Sequence, residues 1–508
     1  MMKLKIFLNF LLFLVLINNS NAQKNSYPLK LNLTVSVELQ KNHKSKGRLF
    51  IFLNKDSLAE PRTNTWPSKG NNIFAQNIGN FDKDKVYKIE GNELWTKTPE
   101  WDLKNVPQGV YYIQVLWDQE NKEVNINAEN NIYSKKQQVN LNKGMTLDIV
   151  LDQWITPIKI MEHKLIREIT LKSDTLSKWW GKDMVLKASV LLPSKYKEGE
   201  NKAYPIRYNV AGYGGRYDRV NRIMKNKKNI EWWESPDAPQ VINVFLDGDG
   251  PFGDSYQLDS DNSGAFGYSL IHELIPYIEN KYRGTNSAET RFVDGCSTGG
   301  WVSLALQIYY PQFFNGCYSY SPDAVTFTDY QLINIYRDDN AFTNEFNYLR
   351  PVMRDTKGEP MMSLKDFITY ENALGVSNSY QTSGGQFGAH TALYSPKGKD
   401  GLPKPMFNPL TGDIDHDVAE QWKKYDLQLY MDKNWKKLGP QLQGKINIWM
   451  GDMDHFYLNI ATRSLDKFLK STKDPVSDAN IKFIAEEGHC SMYSFREVTE
   501  MIEEKVKK

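Results

Sequence analysis

Apolar and polar residues alternate with period two from Leu29 to Leu39. Short apolar runs follow at Arg48–Leu53, Tyr111–Trp117 and Met145–Leu151, separated by turn residues. Period-two alternation places every second side chain on one face, so these segments predict strands. No helical period intervenes, and the stretch 23–160 reads as a β-rich, sandwich-like unit. It holds no cluster of chemistry-bearing residues, which makes a structural or glycan-contacting module the expectation.

The pattern changes near residue 161. Asp183–Leu192, Tyr204–Ala211, Val241–Leu246, Arg291–Asp294, Gly316–Ser319 and Lys445–Met450 read as strands, several of them continuously apolar. Between them, Leu270, Ile271, Leu274, Ile275 and Ile278 mark one face of a helix that Pro276 is expected to bend, and Trp301–Tyr310 forms another. Alternating strands and helices predict an α/β class over 161–508, a mainly parallel sheet covered on both faces. The alternation lapses between about 324 and 440. That stretch is too long for a plain loop, so it predicts an insertion over the strand ends, a lid or substrate wall, helical near Val418–Leu438. Its aromatics Trp422, Tyr425, Tyr430 and Trp435 are either core residues or a stacking surface for a ring.

The amino terminus stands apart. Lys3 and Lys5 precede an apolar run from Ile6 to Ile17, and Ser20-Asn21-Ala22 ends in a small residue. This is the pattern of a signal peptide, residues 1–22, cleaved after Ala22, and it places the protein in the periplasm or outside the cell. The run is too short to span a bilayer, and no later stretch is long and apolar enough.

Composition narrows the class. The 508 residues are 40% hydrophobic and 24% charged, with 63 Lys+Arg against 61 Asp+Glu. That balance suits a large buried core and excludes a disordered chain. Removing Lys3 and Lys5 makes basic and acidic residues equal in number. No basic stripe points to nucleic acid.

Gly295-Cys296-Ser297-Thr298-Gly299-Gly300 fits G-x-S-x-G and falls between a predicted strand and a predicted helix. A serine on so sharp a turn is lifted above the sheet at a helix N-terminus, where free N–H groups favour a developing anion. Ser297 is the candidate nucleophile, against the alternative of a capping serine. A base and an orienting carboxylate should follow in chain order, acid before histidine. His489, in Glu487-Gly-His-Cys-Ser491, is the candidate base. The acid is sought after the strand ending at Met450, where Gly451-Asp452-Met453-Asp454 offers Asp454 first and Asp452 second. The backbone N–H of Thr298 and that of Tyr213, in Gly212-Tyr213-Gly214-Gly215, are the candidate oxyanion donors.

Cys296 directly precedes the candidate nucleophile and Cys490 directly follows the candidate base. If Ser297 and His489 meet, these two cysteines come within bridging distance, and a Cys296–Cys490 disulfide is expected. Unpaired, packed thiols are the alternative. Cys317, in an apolar strand, reads as a buried thiol. Asp247-Gly-Asp249 and Asp259-Ser-Asp261 look superficially like calcium loops. The second carries Leu270 where a bidentate Glu should stand, and solvated acidic loops are expected. No metal, no cofactor and no dinucleotide fingerprint is expected.

The catalytic half resembles the putative-esterase family of α/β-hydrolases, which includes esterase D, feruloyl and acetylxylan esterases, and enterochelin esterases. The resemblance covers about residues 165–500. It is carried by Tyr204-Pro-Ile-Arg-Tyr, Glu273-Leu-Ile-Pro-Tyr-Ile-Glu, the Ser297 motif, Gly451–Asp454 and His489. It implies an α/β-hydrolase fold and hydrolysis of carboxylic esters, often on polysaccharides. Where the family carries His-Gly-Gly-Gly, this chain has Ala211-Gly212-Tyr213-Gly214. Gly-Cys-Ser-Thr-Gly-Gly with a later His-Cys is also similar to the tannase and fungal-type feruloyl esterase pattern, in which the two cysteines are bridged. The resemblance implies a secreted serine carboxylesterase acting on an acyl or aromatic ester, carbohydrate-linked. A serine peptidase of the same fold, or a surface carbohydrate-binding protein without catalysis, are the alternatives. The partner implied is a small-molecule or glycan ester, with no nucleic acid and no membrane span; the sequence does not give the oligomeric state.

Overall fold

The computed structural model describes residues 25–68, 70–120 and 123–508. Residues 1–22, expected to be a signal peptide, lie outside them. Two large sheets organise the chain.

The first sheet is built from β1 (Leu29–Val35), β2 (Gly47–Asn54), β3 (Asn71–Ile78), β4 (Tyr87–Ile89), β5 (Thr96–Lys97), β6 (Gly109–Asp118), β7 (Ile132–Ser134), β8 (Gln137–Leu141) and β9 (Met145–Trp154). These strands form one continuous ladder in the order β4-β1-β9-β7-β6-β2-β3-β5, with β8 also bonded to β6. Leu31 of β1 and Leu49 of β2 are far apart in that ladder yet share one apolar cluster, so the sheet folds over its own core. The alternation of β1 is realised directly: Leu29, Leu31, Leu33 and Val35 are buried, and the residues between them are not.

The β2 strand is buried on both faces. Leu49, Ile51 and Leu53 enter the internal core, whereas Phe50 and Phe52 join Ile73, Ala75 and Leu116 in a second cluster. Tyr370, Ala373 and Leu374 of a helix in the insertion complete that cluster. The first sheet is thus docked on the insertion. Polar contacts fix the joint: Arg48 donates to the Ala373 carbonyl at 2.9 Å, and Asn77 Nδ2 to the Val376 carbonyl at 2.8 Å.

The second sheet comprises β10 (Ile166–Lys172), β11 (Val185–Leu191), β12 (Ile206–Val210), β13 (Ile242–Leu246), β14 (Arg291–Cys296), β15 (Cys317–Tyr320), β16 (Ile446–Gly451) and β17 (Asn480–Ile484). Its order is β10-β11-β13-β12-β14-β15-β16-β17, antiparallel at β10 and β11 and parallel from β13 onward. The central strands β12, β13, β14 and β15 are buried throughout, as strands covered on both faces must be. The chain is an α/β protein with an α/β-hydrolase sheet, preceded by a sheet-rich N-terminal region.

Two charges interrupt this apolar centre and satisfy one another. Arg207 on β12 and Asp294 on β14 are both fully buried, joined by bonds of 2.8 and 2.6 Å. Asn243, Thr499 and the Tyr493 hydroxyl take up the remaining guanidinium and carboxylate capacity. Paired and fully hydrogen-bonded, they avoid most of the penalty of an isolated buried ion.

Just before Pro276 the helix widens. Leu270–Leu274 makes a π turn that runs into α1 (Ile275–Tyr282), with Pro276 in its first turn. A wider turn makes room for the proline ring against the preceding carbonyls. The α2 helix (Thr298–Tyr309) follows β14. Within the insertion lie α3 (Leu364–Leu374), α4 (Gln386–Tyr394), α5 (His416–Trp422) and most of α6 (Leu427–Leu442). The chain ends with α7 (Asn459–Ser471) and α8 (Phe495–Lys507). Trp422, Tyr425 and Trp435 are buried core residues, with the Trp422 indole donating to Ser395 Oγ at 2.9 Å. Together with Tyr430 they stay out of the cavity described below. Among the described residues no helix is long and apolar enough to cross a membrane.

Candidate active site

Ser297 occupies the single residue between β14 and α2, at φ 60° and ψ −127°. This region is sparsely populated by L-residues and is held by its surroundings. The Ser297 N–H donates to the Tyr320 carbonyl on β15 at 3.0 Å, and its own carbonyl accepts from Trp301 at 3.0 Å. The glycines around it are required by space. A methyl group on Gly295 would stand 2.5 Å from the Gly299 backbone, one on Gly299 2.3 Å from the Val210 carbonyl, and one on Gly300 2.3 Å from the Tyr320 carbonyl. Strand, turn and helix therefore approach as closely as backbone allows.

Asp454 sits just beyond β16 and is completely buried. Its Oδ1 accepts from the N–H groups of Phe456 at 2.9 Å and Leu458 at 3.3 Å. Its Oδ2 lies 2.6 Å from His489 Nδ1. Asp452, the second candidate, turns away to pair with Arg463. His390, another histidine in the sequence, is engaged with Tyr330, at 2.6 Å through Nδ1.

The His489 loop is tied to both neighbours. Gly451 and the loop touch so closely that a methyl on Gly451 would lie 2.4 Å from the Glu487 carbonyl. The Cys490 N–H donates to Ser321 Oγ at 3.1 Å, just past β15. Cys296 and Cys490 are joined in a disulfide with Cα atoms 6.0 Å apart. Cys317 is a buried free thiol whose pKa burial pushes up to about 12.

The structure brings Ser297 and His489 to one cavity of about 970 Å³, which also takes in Gly212, Tyr213 and Asp323. His489 Nε2 is buried and has no hydrogen-bond partner among the described residues. Burial disfavours the imidazolium, but the Asp454 charge and hydrogen bond, aided by Asp323, outweigh it and raise the pKa above the ordinary 6.5. A methyl on Gly212 would lie 3.2 Å from the Cys296 carbonyl and 3.6 Å from Ser297 Cβ, so the Gly-rich loop runs directly beside the elbow. Thr298 is the first residue of α2, where helix N–H groups lack intrahelical partners.

Two groups at this site escape sequence reasoning. Asp323 Oδ2 gathers donors from Tyr256 OH, Thr298 Oγ1 and Gln386 Nε2, each at 3.1 Å, with His390 Nε2 at 3.4 Å. This network joins α4 of the insertion to the residue following Ser297. Its members lie 25 to 67 residues from Asp323 along the chain, and only the Pro-Asp after β15 could have hinted at it. The second group is aromatic: Phe456 stands edge-on to His489 with ring centres 4.8 Å apart, and Phe367, Phe387 and Trp66 line the same cavity.

Of the two acidic loops, Asp259 and Asp261 are exposed as expected, whereas Asp247 and Asp249 are ion-paired rather than freely solvated. Asp247 accepts from Arg216 at 2.7 Å and is nearly buried, and Asp249 lies 3.2 Å from the same guanidinium. The Arg216 guanidinium thus balances both carboxylates. No group of three or more candidate metal ligands occurs among the described residues.

No curated protein matches the chain. Among solved structures, a ferulic acid esterase is similar at 15% identity, covering 67% of this chain and 98% of its own, with a TM-score of 0.40. An S-formylglutathione hydrolase from Agrobacterium tumefaciens is similar at 13% identity, covering 69% and 96%, with a TM-score of 0.39. A ferulic acid esterase from Anaeromyces mucronatus shows 13% identity over 70% and 93%, with a TM-score of 0.34. Residues 181–493, well over half of the chain, match the model of the family described as "Putative esterase". The chain belongs to that family and is a carboxylic ester hydrolase.

Proposed function

We propose that the protein is a secreted serine esterase that cleaves an acyl or aromatic ester, carbohydrate-linked, through Ser297, His489 and Asp454. One observation carries this reading: His489 is bonded to Asp454 through Nδ1 while its buried Nε2 is left without a partner in the cavity that also holds Ser297. That arrangement suits a neutral imidazole with its proton on Nδ1 and a free lone pair on Nε2, the form able to accept a serine proton.

In the proposed reaction Ser297 Oγ adds to the ester carbonyl as its proton passes to His489 Nε2. Asp454 stabilises the imidazolium, and the N–H groups of Thr298 and Tyr213 donate to the oxyanion. Collapse breaks the bond to the alcohol, which leaves with the proton from Nε2. Water then attacks the acyl-enzyme with His489 again as base, releasing the acid and restoring Ser297. The aromatic lining of the cavity supports a substrate bearing a ring.

The same reading divides the chain into a signal peptide at 1–22, a β-rich region at 23–160 and a catalytic region at 161–508 whose insertion at 324–440 walls the site. Cavity-lining residues Val352, Phe367, Gln386 and His390 support that role for the insertion. The test is a panel of p-nitrophenyl acetate, methyl ferulate, acetylated glycans and peptides, with Ser297→Ala as control. Hydrolysis of esters lost in that variant supports the reading; cleavage of peptides alone, or activity that survives the substitution, opposes it.

A further inference from the structure

The N-terminal sheet reaches into the cavity. The loop between β2 and β3 carries Trp66, whose ring centre lies 5.4 Å from Phe367 on α3, 6.0 Å from Phe456 and 6.1 Å from Tyr213. One side chain thus touches the insertion, the turn that carries Asp454 and the Gly-rich loop beside Ser297. Phe456 in turn packs on His489. Trp66 nevertheless remains 37% exposed, and it lines the cavity.

The loop is held on either side of Trp66. Arg62 donates its N–H to Gln114 Oε1 at 3.0 Å and lays its guanidinium 4.0 Å from the centre of the Tyr133 ring. Beyond Trp66, the Tyr370 hydroxyl of α3 donates to the carbonyls of Ser68 and Asn71, the latter at 3.1 Å. An indole placed by two anchors, with an open face on a cavity, is a preorganised stacking surface. A residue serving only to glue the N-terminal sheet would be covered, as Phe50, Phe52 and Ile73 are at the main joint.

We infer that the N-terminal region forms part of the substrate site, with Trp66, backed by Phe367 and Phe456, stacking on a ring of the substrate that presents an apolar face. That ring is either the aryl group of the acid or the pyranose of the alcohol. The inference rests on the esterase reading for its substrates, and Trp66 is a specificity residue that takes no part in bond cleavage.

The test compares the full-length protein with Trp66→Ala and Trp66→Phe on methyl ferulate, acetylated xylobiose and ethyl acetate, which has no ring. Trp66→Ala is expected to lower kcat/KM at least tenfold on one ring-bearing ester, mainly through KM. That loss should exceed the loss on ethyl acetate at least fivefold, and Trp66→Phe should recover most of it. A loss on methyl ferulate assigns the ring to the acid, and one on acetylated xylobiose assigns it to the alcohol. Equal loss on all three esters, or none, overturns the inference. If no ester is cleaved, the esterase reading falls, and calorimetry decides the stacking role of Trp66 separately. Ferulate or xylobiose should then bind at least tenfold more weakly to Trp66→Ala; absent or unchanged binding overturns it.

Discussion

Cys296 and Cys490 are bonded to each other, and each is the immediate neighbour of a candidate catalytic group, Ser297 and His489. The bridge closes a loop of 194 residues and fastens the elbow to the histidine loop. A cross-link over so long a loop typically adds about 2–5 kcal/mol, and here it also restrains the distance on which proton transfer depends. Replacing both cysteines by serine is expected to lower the melting temperature and to reduce kcat more than KM. Thermal unfolding and steady-state kinetics on the double variant check this. Unchanged kcat would leave the bridge a purely structural brace.

The pKa of His489 lies above 6.5, because Asp454 and Asp323 outweigh its burial. The neutral ring is the working form, so kcat/KM should fall as pH drops through that raised value. The acidic limb therefore lies above 6.5 in the free enzyme. Asp323→Asn removes one favourable charge and should move the limb to lower pH. The stability linkage has the opposite sign. The raised pKa stabilises the fold fully below about pH 6.5, the unfolded value, and the contribution disappears as pH rises through the folded value. A pH–rate profile on both proteins reads the shift.

Gly299 faces the carbonyls of Val210 and Ala211, which would stand 2.3 and 2.7 Å from a methyl group. Neither can move without displacing β12. Gly299→Ala should destabilise by about 1–3 kcal/mol or more, and activity should fall with it. Chemical denaturation with an activity assay on the same preparation measures both.

Asp294→Ala leaves Arg207 charged and buried beneath the elbow. Breaking one side of such a pair costs about 3–5 kcal/mol, so this variant should be among the least stable in the sheet. Denaturant midpoints for Asp294→Ala against wild type give the number.

Much of the second sheet is legible from sequence because its strands are continuous apolar runs bounded by Gly and Pro. Strand-to-helix order then predicts where Ser297, Asp454 and His489 fall along the chain. The disulfide partners are legible because each cysteine adjoins a candidate site residue. Chemistry assembled from distant, individually ordinary residues is not legible. Arg207 and Asp294 look like polar interruptions until β12 and β14 lie side by side. Trp66 sits in a loop of a region without catalytic motifs, and only the docking of Phe50 and Phe52 on α3 carries it to the cavity. The insertion's aromatics stay ambiguous for the same reason: Trp422 and Trp435 have the composition of a binding surface, and only the packed fold shows them to be core.

The account depends most on an activated hydroxyl at Ser297, and reaction with a fluorophosphonate tests that directly. Intact mass and peptide mapping of the folded protein should show one adduct per chain, on Ser297, absent from Ser297→Ala and slowed by about 10³-fold or more in His489→Gln. No adduct on the folded protein, or an adduct that persists in Ser297→Ala, would contradict the account.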